Sequence, residues 1–193
     1  MDHKLIRTFV SVPVPEPVLA LQKTLRSTID PKRGQIKWVR QDQLHLTLKF
    51  IGFTPESSFD DIRSVLDEIA NNTRPIQLNI EGTGCFPKKE RPRVLWAGIQ
   101  GEIEKLNTLV NATQSALDPL GFFKDDKPYH PHITLGRERY PQKDTPDVSF
   151  FLDAPYSGIP FGVEKIQFIS SELFPNGPVY TILSTHFFKN NSV

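Results

Sequence analysis

His132-Ile133-Thr134-Leu135-Gly136-Arg137 repeats, 87 residues further along the chain, the pattern of His45-Leu46-Thr47-Leu48. Both copies read His-x-Thr-Leu. Side chains of an extended strand alternate between its faces, so His45 and Thr47 share one face while Leu46 and Leu48 share the other. His132 and Thr134 stand in the same way against Ile133 and Leu135. Each strand therefore offers an aliphatic face to a core and an imidazole with a hydroxyl on the face behind it. Two such strands brought together would line a cleft with two histidines.

Five His and 13 Thr in 193 residues make about 0.3 His-x-Thr matches expected by chance, so a single copy would carry little weight. Two copies, each followed by Leu and each in an alternating apolar run, carry more. The plain alternative is a pair of half-buried strand histidines, with Thr chosen for its β propensity.

A chain of 193 residues with 38% hydrophobic and 23% charged residues has the length and composition of one soluble globular domain with a sizeable core. No run approaches 18 apolar residues, and Met1-Asp2-His3-Lys4-Leu5 lacks the apolar stretch of a signal peptide, so the expected location is the cytoplasm. The lone Cys85 excludes an internal disulfide and a Cys-based zinc site. Between Gly84 and Pro87 it reads as a small filler at the end of a strand rather than a nucleophile. A net charge of +1 argues against a broad basic face that coats nucleic acid, and leaves room for a small anion held by a few local cations.

Residues 4–12 alternate as a strand, with Arg7, Phe9 and Ser11 on one face. Val18, Leu21, Leu25 and Ile29 follow at helical spacing, closed by Asp30-Pro31 and Gly34. An extended piece at 36–39 leads into the first motif strand, 44–51. Thr54 is the expected N-cap, and Pro55 the first residue, of a helix with Phe59, Ile62, Leu66 and Ile69 inward. Residues 76–81 alternate as a strand. Residues 82–92, with Lys88, Lys89 and Arg91, read as a loop, either a solvated turn or a basic flap beside an anionic ligand. A strand at 93–99 and a helix at 102–120, with Leu106, Val110, Thr113 and Leu117 inward and Gly121 as its stop, precede the second motif strand at 131–137. Residues 138–160 offer only an apolar patch at 150–152. Two strands, 163–171 and 179–188, close the chain around Pro175-Asn176-Gly177-Pro178.

A strand-helix unit precedes the motif strand in both halves. This predicts an internally duplicated α+β unit, with two sheets related by a pseudo-twofold, His-Thr faces meeting at the axis and helices on the outer faces. Histidine titrates near pH 6.5, so one copy can act as base and the other as acid on opposite sides of an in-line displacement at phosphorus. The two threonine hydroxyls would donate to the non-bridging oxygens as charge builds there. Arg137 has the chemistry of a phosphate contact, yet simple alternation puts it on the face opposite His132. It reaches the cleft only if the strand twists, bulges or ends near Gly136. His130 and His132 form a His-x-His pair that could hold a metal, against which stand the intervening Pro131 and the lack of an obvious third ligand. His3 and His186 read as a terminal and a strand-surface residue. Phe9, Phe86 and Trp38 are candidates to stack on a base.

The residues resemble the 2H phosphoesterases, and within them the RNA 2′,3′-cyclic phosphodiesterases, historically called 2′-5′ RNA ligases. The resemblance runs through Arg7-Thr8-Phe9-Val10, Gln43-Leu44-His45-Leu46-Thr47-Leu48-Lys49-Phe50-Ile51-Gly52 and Gly84-Cys85-Phe86-Pro87. It continues through Pro92-Arg93-Val94-Leu95-Trp96-Ala97-Gly98, His130-Pro131-His132-Ile133-Thr134-Leu135-Gly136-Arg137, Ser170-Ser171 and Tyr180. It implies a single two-lobed catalytic domain over residues 1–193 that opens a terminal 2′,3′-cyclic phosphate to a 2′-phosphate. By the same resemblance His45 is the proton donor to the departing 3′ oxygen and His132 the proton acceptor from water. Thr47, Thr134 and Arg137 would hold the phosphate, with Arg7 and Phe9 on the substrate side. No cofactor or metal is implied. The expected partners are RNA ends or nucleoside 2′,3′-cyclic phosphates, with no membrane, and the chain is expected to be a monomer. Ligation of 2′-5′ linked RNA would be the reverse reaction at the same site. Two other readings stay open: a nucleotide-binding module without turnover, and a cyclic phosphodiesterase for ADP-ribose 1″,2″-cyclic phosphate.

Overall fold

The computed structural model describes residues 5–139, 141–175 and 177–189. His3, Lys4 at the start of the first expected strand, and Asn176 of the closing turn lie outside the described residues. The elements in order are β1 (Leu5–Pro13), α1 (Pro17–Arg26), β2 (Ile36–Trp38), β3 (His45–Pro55), α2 (Phe59–Asn71), β4 (Ile76–Lys88) and β5 (Arg91–Gly101). They continue with α3 (Ile103–Leu117), β6 (His132–Glu138), α4 (Ser149–Leu152), β7 (Ile159–Val163), β8 (Lys165–Phe174) and β9 (Gly177–Phe187).

The fold is α+β, and its strands form one sheet rather than the two expected. The order is β7-β4-β5-β6-β3-β1-β8-β9, with β2 paired to β6, and the strand pairs are antiparallel. The two motif strands are neighbours at its middle. They share a single residue pair, Leu46 opposite Ile133, which makes the sheet continuous while leaving the strands free to splay on either side. Flanking that pair are His45 and Thr134 on one side, and Thr47 and His132 on the other.

The aliphatic faces of both motif strands are core. Leu46, Ile133 and Leu135 are fully buried and Leu48 is 2% exposed, each such side chain contributing about 1.5–3 kcal/mol by leaving water. They join one apolar cluster with Val18, Leu21 and Leu25 of α1, Ile62 and Leu66 of α2, and Leu106, Val110 and Leu117 of α3. The helices thus lie behind the sheet, and the histidines face away from them.

Several boundaries differ from the expectation. Thr54 is not an N-cap: β3 runs on to Pro55, and Thr54 pairs with Ile6 of β1. Its buried hydroxyl bonds that of Thr8 at 2.7 Å, and Ser58 takes the N-cap position of α2 instead. The expected loop at 82–92 is a hairpin. A bulge between Ile80 and Thr83 carries β4 past Gly82 (φ +74), and only Lys89 and Glu90 turn the chain into β5. Lys88, Lys89 and Arg91 are exposed near its tip. β7 carries no strand signal in the sequence because Ile159-Pro160-Phe161-Gly162-Val163 contains two residues that strands disfavour; it is an edge strand, where both are tolerated.

His186 is not a surface residue. It is 3% exposed, its Nδ1 lies 2.6 Å from Oδ1 of Asp67 on α2 and its Nε2 2.8 Å from the Ser184 hydroxyl. This chain of polar contacts pins β9 to α2. No helix among the described residues is long and apolar enough to cross a membrane.

Candidate active site

His45, Thr47, His132, Thr134 and Arg137 line one cavity of about 230 Å³. β3 and β6 supply them, and β2, through Lys37 and Trp38, together with Pro178 and Tyr180 of β9, closes its sides. Four of the five are where strand alternation predicts. The fifth, Arg137, is there because β6 bulges. Gly136 pairs with Leu95 and Thr134 with Trp96, so Leu135 is an extra residue that flips parity beyond it. Arg137 then pairs with Val94, which shares a face with Trp96, and so stands on the same face as Thr134.

The bulge is held from behind. The Leu135 carbonyl accepts from the Val39 amide at 2.9 Å and from the side-chain amide of Gln22, on α1, at 2.9 Å. Gly136 is required by crowding: a Cβ there would lie 2.6 Å from Cγ2 of Ile36. β3 repeats the device. Ser11 pairs with Thr47 and Val10 with Lys49, leaving Leu48 as the extra residue. Phe50 thereby turns to the cleft, 55% exposed, and Lys49 turns to the core, where its ammonium donates to the Phe123 carbonyl at 2.7 Å and to Asp125 at 2.9 Å. Phe50 is thus the counterpart of Arg137, and neither Lys49 nor Phe50 has a cleft or core role that simple alternation would assign.

The two imidazoles are set identically. His45 Nδ1 lies 2.7 Å from the carbonyl of Gln43, and His132 Nδ1 lies 2.7 Å from the carbonyl of His130. A carbonyl only accepts, so each Nδ1 carries the proton and each Nε2 is the nitrogen that titrates. Burial lowers the pKa of both rings; the carbonyl contact works the other way, and the Arg137 guanidinium adds to the lowering. The hydroxyls of Thr47 and Thr134 have no hydrogen-bond partner among the described residues, which leaves both able to donate to a ligand.

The other sequence candidates are distributed around this centre. Phe9 is 2% exposed and stacks on the His45 ring at 4.8 Å, with Tyr180 edge-on at 5.1 Å, so it backs the histidine. Arg7 is exposed on the same face of β1 as Phe9 and lines an adjoining cavity. Phe86 packs edge-on against His132 at 5.1 Å, and Trp38 lines the cavity wall. His130 is exposed, its ring 6.2 Å from that of His132, and no group of three potential metal-ligating side chains gathers among the described residues.

Gln43 has a role that a match in a string does not reveal. Its carbonyl orients His45 and its side-chain amide donates to the Pro178 carbonyl, fastening the start of β9 to the cavity rim. Phe50 and Tyr180 likewise gain their places only in the fold. A bulge leaves no signature in a strand pattern, and the position of β9 beside the cavity is a long-range pairing.

An antiparallel α+β sheet with paired His-x-Thr strands facing one cavity defines the class of two-histidine phosphoesterases. The LigT-like phosphoesterase family model matches residues 12–96 and 98–180, and the chain belongs to that family. Each matched segment holds one motif. The chain is 35% identical to an RNA 2′,3′-cyclic phosphodiesterase of Thermus thermophilus over 92% of this chain and 88% of that protein. It is 31% identical to the enzyme of the same name from Aquifex aeolicus over 93% and 96%. The crystal structure of the Thermus thermophilus protein TT0787 superposes with a TM-score of 0.80 at 32% identity, covering 96% of this chain and all of that one. The E. coli LigT structure with 3′-AMP shares the fold with a TM-score of 0.77 at 23% identity, covering 96% and 99%.

Proposed function

We propose that this protein is an RNA 2′,3′-cyclic 3′-phosphodiesterase that hydrolyses a terminal 2′,3′-cyclic phosphate to a 2′-phosphomonoester. The observation that carries the reading is the pair of Nε2 atoms left to titrate in one cavity that two unpartnered threonine hydroxyls also line. His132, as base, takes a proton from water as its oxygen bonds to phosphorus. The bond from phosphorus to the 3′ oxygen breaks on the opposite side, and His45, as acid, protonates that oxygen. Thr47, Thr134 and Arg137 donate to the non-bridging oxygens, whose charge grows in the transition state. Exchange with solvent then returns each imidazole to its starting state.

The polarity of the pair follows the family resemblance, and the asymmetry of the site is compatible with it: beyond the two bulges stand a cation on the His132 side and an aromatic ring on the His45 side. The twice-matched family model and the shared bulge support a duplicated two-lobed unit with a pseudo-twofold at the Leu46–Ile133 pair. Ligation of 2′-5′ ends is the same displacement with a 5′-hydroxyl oxygen in place of water, the P–O3′ bond breaking as before, and cleavage of that linkage is its reverse. Incubation of an RNA oligonucleotide ending in a 2′,3′-cyclic phosphate, with identification of the product, tests the reading. A 2′-phosphate formed at an unchanged rate in EDTA supports it; an intact substrate or a 3′-phosphate product rejects it.

A further inference from the structure

A second cavity of about 420 Å³ opens on the same face of the sheet, beside the one that holds the histidines. Phe50, Arg137, Pro178 and Tyr180 line both, so the two are adjoining compartments with a common wall. The second compartment adds Arg7, which sits on β1 between Phe53 of β3 and Ser171 of β8. Among the described residues neither Arg7 nor Arg137 pairs with a carboxylate, although the whole chain carries a net charge of only +1. Burial raises the pKa of the Tyr180 hydroxyl and both guanidinia work against that rise, in keeping with the three side chains lining one compartment. Two unneutralised guanidinia around an open pocket are suited to an anion, and a guanidinium matches the paired oxygens of a phosphate.

We propose that this second compartment is a subsite for the phosphodiester one nucleotide upstream of the reacting end, so that a short RNA is a better substrate than a free nucleoside cyclic phosphate. The inference rests on the phosphodiesterase reading. Arg137 faces both compartments, and the terminal cyclic phosphate of an RNA is separated from the next phosphate by one nucleoside. Phe50, exposed in the shared wall, offers that nucleoside an apolar surface. The upstream phosphate then falls between Arg137 and Arg7, with the Ser171 and Tyr180 side chains beside it. A charge-assisted contact of this kind corresponds to about a tenfold gain in kcat/KM.

Three substrates test this: adenosine 2′,3′-cyclic phosphate, a diadenosine with a natural linkage and a 2′,3′-cyclic end, and the same dinucleotide with a neutral methylphosphonate linkage. The natural dinucleotide should exceed both others by about tenfold in kcat/KM. In Arg7→Ala the natural and methylphosphonate dinucleotides should converge. A wild-type enzyme that turns over the two dinucleotides equally overturns the subsite and leaves the phosphodiesterase reading standing. If none of the three is opened, both fail. Should Arg7→Ala not fold, the comparison of linkages in the wild-type enzyme decides by itself.

Discussion

Arg137 stands on the same side of the sheet as His132, although it lies at an odd offset, five positions further along β6, because Leu135 is an extra residue opposite the step from Leu95 to Trp96. In a regular strand that separation would have put the guanidinium in the core. The same insertion at Leu48 brings Phe50 round beside His45 and sends Lys49 inward. One backbone irregularity, used twice, turns a two-residue pattern into a site with two imidazoles, two hydroxyls, one cation and one aromatic ring.

Replacing either histidine should abolish turnover while leaving the fold intact. Both rings project from the cleft face of strands whose other face carries the packing, so His45→Ala and His132→Ala should each lower kcat on a cyclic-phosphate-ended RNA by about 10²–10⁴-fold. The thermal transition should stay near that of the wild type. Either variant retaining full turnover contradicts the acid/base assignment.

The pH dependence follows from burial. The proposed mechanism needs one imidazole neutral and one protonated, and desolvation lowers both below the ordinary value, so the kcat/KM maximum of the free enzyme should lie on the acid side of about pH 6.5. For stability the sign is that of a histidine held neutral by folding: below about pH 6.5 the unfolded chain binds more protons than the folded one. The contribution is intact above that pH and is lost as the pH falls through the folded-state values. Steady-state profiles and melting temperatures across the range measure the two effects.

Gln22 should act on the site through the sheet. It lies on α1, 5% exposed, and its amide bonds the carbonyl of the bulged Leu135. Gln22→Leu keeps the volume and removes the donors, which should cost about 1–3 kcal/mol of stability and lower activity by loosening Arg137. Combined with Arg137→Ala, its effect on activity should largely vanish; full additivity in the double variant counts against coupling through the bulge.

Lys49 and Asp125 should respond unequally. The lysine side chain is 3% exposed and the aspartate 52%, so Asp125→Ala leaves a buried ammonium with the Phe123 carbonyl alone and no counter-charge, while Lys49→Met leaves a solvated carboxylate and removes one donor from that carbonyl. Chemical denaturation should show Asp125→Ala as the more destabilised, by about 1–3 kcal/mol relative to the wild type.

Much of the chemistry is legible in the sequence because it is local. The inward residues of the three main helices follow from their spacing, and the cleft positions of His45, Thr47, His132 and Thr134 follow from alternation. The expected N-cap at Thr54 does not form because the Thr54 hydroxyl finds Thr8 across the sheet, which no local preference for capping reveals. The hairpin at 82–92 is hidden by a glycine, Gly82, that a bulge uses, and β7 by a proline that only an edge strand accepts. His186 reads as a surface residue because the carboxylate and hydroxyl that satisfy it include Asp67, 119 positions away.

The sequence by itself determined which face of each motif strand the histidines and threonines would occupy, since alternation is a property of the extended backbone alone. Tertiary structure decided the rest. It joined the expected pair of sheets into one through Leu46 and Ile133, aimed both Nδ1 atoms at carbonyls two residues back, and used long-range hydrogen bonds from Gln22 and Val39 to hold the bulge that delivers Arg137. Strand register and bulges are set by partners distant in the chain, and that is why the guanidinium could be named from the sequence but placed only in the fold.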